Sequence, residues 1–176
     1  GSATETKRTV LTGQETSVVA EGTEGPVGGA ISGSGDVRTL TQCVKPVSQG
    51  VIALPATADT QLKIVNPDAS EAAIDLTLYG AEGEIQALGA RGITLAAYQE
   101  RTIALSVLTE KATPVGVSFQ ASRGRAAVMA ITQTQSSGTA AGPSQLSTSH
   151  LLPGIPAGAT SSVVVLANPS ETRITA

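Results

Sequence analysis

The chain has 176 residues, of which 40% are apolar and only 14% charged, with a formal net charge of −3. A charged fraction well under the usual figure of about 25% leaves Ser, Thr, Gln and Gly to cover the surface. The acidic balance, with a pI near 5.1, excludes a phosphate-tracking protein, which needs clustered Lys and Arg to displace counterions.

A chain of this size buries roughly 70% of the surface it exposes when unfolded, so a core without staples is feasible. The only aromatic residues are Tyr79, Tyr98 and Phe119, with Trp absent, so Val, Ile, Leu and Ala must fill the interior. A mean hydropathy of +0.14 and repeated β-branched runs oppose disorder as the state of the whole chain. Gly1-Ser2 reads as the scar of protease cleavage, so any signal or anchor is expected to lie outside the chain, and no apolar run is long enough to span a bilayer.

In chain order, Thr9-Val10-Leu11 and Ser17-Val18-Val19-Ala20 are the first candidate strand segments. Residues 21–35 are rich in Gly and read as a loop, with Gly33-Ser34-Gly35 as a turn. The lone Cys43 has no internal disulfide partner and is expected to be a small buried hydrophobe. Residues 62–65 read as a short strand. Asn66-Pro67-Asp68 then removes a ladder donor and closes a side-chain turn.

The stretch 72–79 alternates strictly, Ile74, Leu76 and Leu78 against Asp75, Thr77 and Tyr79, as a half-buried strand requires. Gly80-Ala81-Glu82-Gly83 has the chemistry of a hairpin loop. Residues 101–108 place Ile103 and Leu105 on one side of a strand, and 115–121 align Val115, Val117 and Phe119. Ser122-Arg123-Gly124-Arg125 reads as a second hairpin loop, leading into a strand at 126–134 that is apolar on both faces. Residues 135–149 are a Ser/Thr/Gly linker. A strand at 162–167 and the turn Asn168-Pro169-Ser170 complete the series.

Strand spacing of roughly 8 to 14 residues favours an antiparallel sandwich over alternating strand and helix units. The run from Leu62 to Pro67 matches that from Val164 to Pro169, which implies a repeat of about one hundred residues, the size of one sandwich domain. The expected fold class is thus all-β, a tandem antiparallel immunoglobulin-like β-sandwich whose second repeat is incomplete or completed by the N-terminal segment. The expected organisation is an N-terminal segment and Gly-rich linker over 1–35, a first sandwich over 36–135, a linker over 136–149 and the start of a second repeat over 150–176. A lone strand pair is marginal in water, so Arg8 to Ala20 is expected to pair with Ser162 to Ala167.

The run Gly35-Asp36-Val37-Arg38-Thr39-Leu40, then Cys43 and Pro46, then Val65-Asn66-Pro67 and Ile74 to Gly83, resembles an uncharacterised actinobacterial domain family. Leu152-Pro153-Gly154-Ile155-Pro156 followed by Ala167-Asn168-Pro169 resembles that family's second module, so the resemblance covers most of residues 35–176. It implies the extracytoplasmic part of a secreted or N-terminally membrane-anchored protein with no assigned activity. Many relatives carry a Trp shortly after the Cys-Pro element, and Val47 to Val51 departs from that pattern.

Residues able to do chemistry are sparse. His150 is the sole histidine and the only base for a Ser/His/Asp or Cys43/His150 arrangement, yet no Gly-x-Ser-x-Gly elbow accompanies it. Asp68, Glu71, Glu82 and Glu84 supply oxygens of the kind calcium takes, but not at EF-hand spacing. Asp75 sits on a strand's polar face without an aromatic platform for a sugar. The scattered Gly13, Gly22, Gly25, Gly28 and Gly29 form no phosphate loop, and Arg123-Gly124-Arg125 is a small basic turn. The reading is therefore no catalytic, metal or cofactor residues and no enzyme. The expected role is a cell-envelope scaffold or accessory subunit whose partner is another envelope protein, with a cell-wall polysaccharide as the alternative. Nucleic acid is not expected, nor is membrane contact except through an anchor.

Overall fold

The computed structural model describes residues 30–33, 39–54, 59–109, 116–133, 138–144 and 165–169. They form eleven strands and one helical turn: β1 (Ala30–Gly33), β2 (Thr39–Gln42), β3 (Gln49–Ala53), β4 (Thr60–Val65), β5 (Ala72–Gly80), β6 (Gly83–Ile85), β7 (Ile93–Leu95), β8 (Glu100–Ala104), α1 (Leu105–Leu108), β9 (Gly116–Arg123), β10 (Ala127–Gln133) and β11 (Gly138–Ala141). The fold is all-β. One antiparallel sheet has the order β11-β10-β4-β8; a five-stranded sheet has the order β3-β9-β5-β6, with β7 also paired to β5; β1 and β2 form a separate ribbon.

The alternation read at 72–79 becomes β5, with Ile74, Leu76 and Leu78 buried and the residues between them half-buried. Leu62 and Ile64 of β4, Val128 of β10 and Val117 and Phe119 of β9 join them in one aliphatic core shared by the two main sheets. Each fully buried Leu, Ile or Val contributes about 1.5–3 kcal/mol of transfer free energy. Among the buried polar residues, Thr60 bonds its cross-strand neighbour, with 2.7 Å between the Oγ1 atoms of Thr60 and Thr132.

Three stretches fold otherwise than their sequence suggests. Ser122 to Arg125 is not a hairpin loop. It carries the chain from β9 in the five-stranded sheet to β10 in the other, alongside the β4–β5 connection, which crosses in the opposite direction. The strand expected over 101–108 stops at Ala104 and becomes the turn α1, because Leu105 and Leu108, three apart, both reach the core from a helical turn. Ala126 to Gln133 buries Val128 and Ala130 fully but Ala127, Met129 and Ile131 only partly, so it is a half-covered strand.

Strands also arise where loops were expected. β1 lies within the Gly-rich stretch 21–35 and pairs with β2. β11 lies within 135–149 and pairs with β10, and Ser144 just beyond it bridges to Val51 of β3. At a sheet edge, ladder hydrogen bonds outweigh the weak strand preference of Gly, Ala and Thr-rich sequence. Of the strand read at 162–167, residues 165–167 are described and are not in a strand. The pairing proposed for Arg8 to Ala20 lies outside the described residues.

Candidate functional site

Three connections between the two main sheets gather at one end of the molecule: 66–71 from β4 to β5, 96–99 from β7 to β8, and 124–126 from β9 to β10. Asn66, 1% exposed, ties them together. Its Nδ2 donates to the carbonyls of Ser70 at 2.7 Å and Ala96 at 2.8 Å, and its Oδ1 accepts the N–H of Asp68 at 3.1 Å. The side-chain turn expected of Asn66-Pro67-Asp68 therefore forms, and it also holds a loop about thirty residues away.

Of the acidic candidates, Asp68 and Glu71 meet the basic turn here and pair with it, while Glu82 and Glu84 lie at the β5–β6 hairpin. Arg125 forks onto both oxygens of Asp68, with Nε at 3.0 Å from Oδ2 and Nη2 at 2.9 Å from Oδ1, while Arg123 binds Glu71. Hydrogen bonding from Arg125, with its positive charge, holds the Asp68 carboxyl below its ordinary value of 3.8 against the opposing effect of desolvation. Asp68 and Glu71 are thus engaged by arginine rather than arranged around a cation. Glu84 lies 3.7 Å from Arg91, and no group of three or more metal-ligating side chains occurs among the described residues.

The same end opens onto the outer edge of β8. β8 is paired to β4 on one side, and no strand among the described residues pairs with its other side. The N–H of Asn66 bonds the Gln99 carbonyl at 2.9 Å, and this sets the phase of the ladder. The carbonyl of Gln99 and the backbone groups of Arg101 and Ile103 turn to the β4 side, while Thr102 and the N–H of Ala104 turn outward. A salt bridge of 2.8 Å from Lys63 to Glu100 fastens the two strands.

Two exposed apolar side chains frame that edge. Val107, 74% exposed on α1, follows it, and Tyr98, 69% exposed, precedes it. Tyr98 has φ of 57°, the only non-glycine residue with positive φ among those described. Its N–H bonds the Asp68 carbonyl and the N–H of Gln99 bonds the Ala96 carbonyl, both at 3.1 Å. A bulky residue in this region carries roughly 1–2 kcal/mol of strain. Nothing local in Ala97-Tyr98-Gln99 announces the conformation; the neighbouring loops impose it.

A groove of about 1120 Å³ lies on another surface, lined in part by the outer face of the five-stranded sheet and by Cys43. Contrary to expectation Cys43 is an exposed free thiol, because its segment precedes β3 and lies outside the sandwich. His150 lies outside the described residues. Asp75, on the groove floor, accepts the N–H of Gly92 at 2.7 Å. No helix among the described residues is long and apolar enough to cross a membrane.

Comparison with curated proteins and with solved structures found no match. The profile of a family of unknown function, DUF5719, matches residues 2–175. Since that match takes in almost the whole sequence, including both sheets and the cluster of crossings around Asn66, the chain belongs to this family of unknown function.

Proposed function

We propose that the chain is a non-catalytic extracytoplasmic module of the cell envelope, a scaffold or accessory subunit that holds another envelope protein along the outer edge of β8 at Thr102. In this reading it comes from a secreted or membrane-anchored actinobacterial protein, and residues 150–176 open a second immunoglobulin-like repeat. The observation that carries the partner-binding role is the outer edge of β8, which no described strand pairs with and where the backbone groups of Thr102 face outward, flanked by exposed Tyr98 and Val107. An open edge offers main-chain hydrogen bonds to an incoming strand, and flanking side-chain anchors give that strand its register.

Thr102→Pro tests this directly. It removes a donor that faces solvent and not β4, so the fold is retained while strand addition is blocked. Capture from an envelope extract, with crosslinking to locate contacts, is expected to yield a partner crosslinked near β8 with the wild-type chain. Capture is lost with Thr102→Pro and reduced with Tyr98→Gly, a change that relieves the backbone strain and leaves the fold firm. Undiminished capture by a folded Thr102→Pro chain would overturn the proposal.

A further inference from the structure

Among the described residues, the charges around the β8 edge are paired with one exception. Lys63 holds Glu100 at 2.8 Å, and Arg125 holds Asp68, whose carbonyl takes the N–H of Tyr98. Arg101 of β8 is exposed and pairs with no carboxylate among the described residues. Arg91 and Arg123 face Glu84 and Glu71 on the five-stranded sheet. Lys45 precedes β3, at the opposite border of the two sheets.

The place of Arg101 in the ladder matters as much as its charge. Residues directly opposite one another share a face of the sheet. Arg101 stands opposite Ile64, and Ile103 opposite Leu62; Ile64 and Leu62 are fully buried, so Arg101 belongs to the core-facing side of β8. Being exposed on an outermost strand, its side chain reaches past the edge and not into the aliphatic core. An inward-side charge on an edge strand opposes the pairing of like edges. Two copies joined antiparallel through the outward groups of Thr102 would set Thr102 against Thr102 and Arg101 against Ile103. The two Arg101 would then lie on one diagonal, about 7–8 Å apart, within the range at which physiological salt leaves repulsion in force. The edge is thus built against a second copy of itself.

The same geometry states what a strand added here must carry. Whatever residue pairs with Thr102, one of its two neighbours falls opposite Arg101, on the same face. A carboxylate at that place takes the guanidinium in two parallel N–H···O bonds, a fit that the planar fork of arginine provides. A neutral side chain leaves the cation unmatched, and a lysine sets two cations against each other. Lys63 and Glu100 already satisfy one another, so the charge preference of the edge comes from Arg101. Taking the β8 edge as the binding edge, we infer that its occupant is an acidic extended segment of another protein. That segment carries an Asp or Glu next to the residue that pairs with Thr102.

The test is titration of the full chain with three synthetic seven-residue peptides of alternating Val and Thr that differ only in a central Glu, Gln or Lys, followed by fluorescence anisotropy and amide NMR. The Glu peptide is expected to saturate and to shift the amide resonances of Arg101, Thr102 and Ile103. Loss of charge-assisted bonds lowers affinity roughly tenfold or more, so the Gln peptide binds weaker by about that factor and the Lys peptide weaker still. Arg101→Glu is expected to reverse the order, with the Lys peptide bound best. The position is exposed, so this variant folds, and unchanged thermal unfolding checks it. Equal binding of the three peptides, all of it lost in Thr102→Pro, would overturn the charge selection while leaving the β8 edge in place. Saturation by none of them, or an order of preference that Arg101→Glu leaves unchanged, would also overturn the inference. So would a dimer of the wild-type chain, seen by sedimentation, that Thr102→Pro dissolves, since the occupant would then be a second copy.

Discussion

The amide of Asn66 has two protons to give and three carbonyls within reach, those of Ser70, Ala96 and, at 3.3 Å, Leu95. The two shorter contacts take the protons and the third shares one. Alanine at this position takes the partner from the Ser70 carbonyl and the Asp68 N–H, while the Ala96 carbonyl keeps the N–H of Gln99. Each buried group left unpaired costs about 1–3 kcal/mol, and partial access of water to this loop brings the expected total for Asn66→Ala to about 2–4 kcal/mol. Urea unfolding that shows a lower midpoint at unchanged slope is the expected result. A loss under about 1 kcal/mol would mean that the three crossings hold without the amide. Tyr98 depends on the same corner, since its N–H bonds the Asp68 carbonyl, so an exposed side chain beside the β8 edge is held in its strained shape by a turn that buried Asn66 fixes.

Among the elements, those with long alternation were readable and those built by the sheet around them were not. β5 stands where its nine residues alternate, and the two-residue turn at Ala81-Glu82 closes Gly80 onto Gly83 as its composition demands. β6 and β7 are three residues each, too short for any period to register. The helical turn α1 did leave a trace, Leu105 and Leu108 three apart, within a run that otherwise alternates. The partners of Asp68 and Glu71 left none, because Arg125 and Arg123 lie more than fifty residues away along the chain. Cys43 shows the limit from the other side: its usual preference for burial says nothing about whether its segment belongs to the sandwich. Element packing can be tested at Gly50 of β3, where a Cβ would come within 2.8 Å of both the Phe119 ring and Pro143. Phe119 is buried and cannot swing away. Gly50→Ala is expected to cost about 1–3 kcal/mol through this overcrowding, whereas Gly116→Ala meets chiefly Ala167, in a segment free of strand pairing, and should cost less. Equal midpoints in chemical unfolding for the two variants would contradict this view of the β3–β9 packing.

At the scale of the molecule, two ion pairs sit where opposite crossings run side by side, and each prolongs one sheet. Asp68 and Arg125 lie just beyond the Val65–Ala127 end of the β4–β10 pairing, and Glu71 and Arg123 lie at the Ala73–Arg123 end of the β5–β9 pairing. The sheets share their apolar core but are joined covalently only through such connections, so charge at this end bears on how firmly they stay together. Asp68 is held below its ordinary value of 3.8 in the folded chain. A group whose folded value is depressed releases its proton more readily when folded, so its contribution to stability is complete above the unfolded value. That contribution is lost as pH falls below 3.8 and through the lower folded value. Asp68→Asn, which keeps the shape but not the charge, should therefore be less stable than the wild type at neutral pH. The two unfolding curves should converge as the solution is acidified through that window. Because both partners are partly exposed, added salt should also narrow the gap at neutral pH. A gap that persists unchanged below the window would assign the effect of the substitution to lost packing, and would remove charge pairing from the account of how the two sheets are fastened.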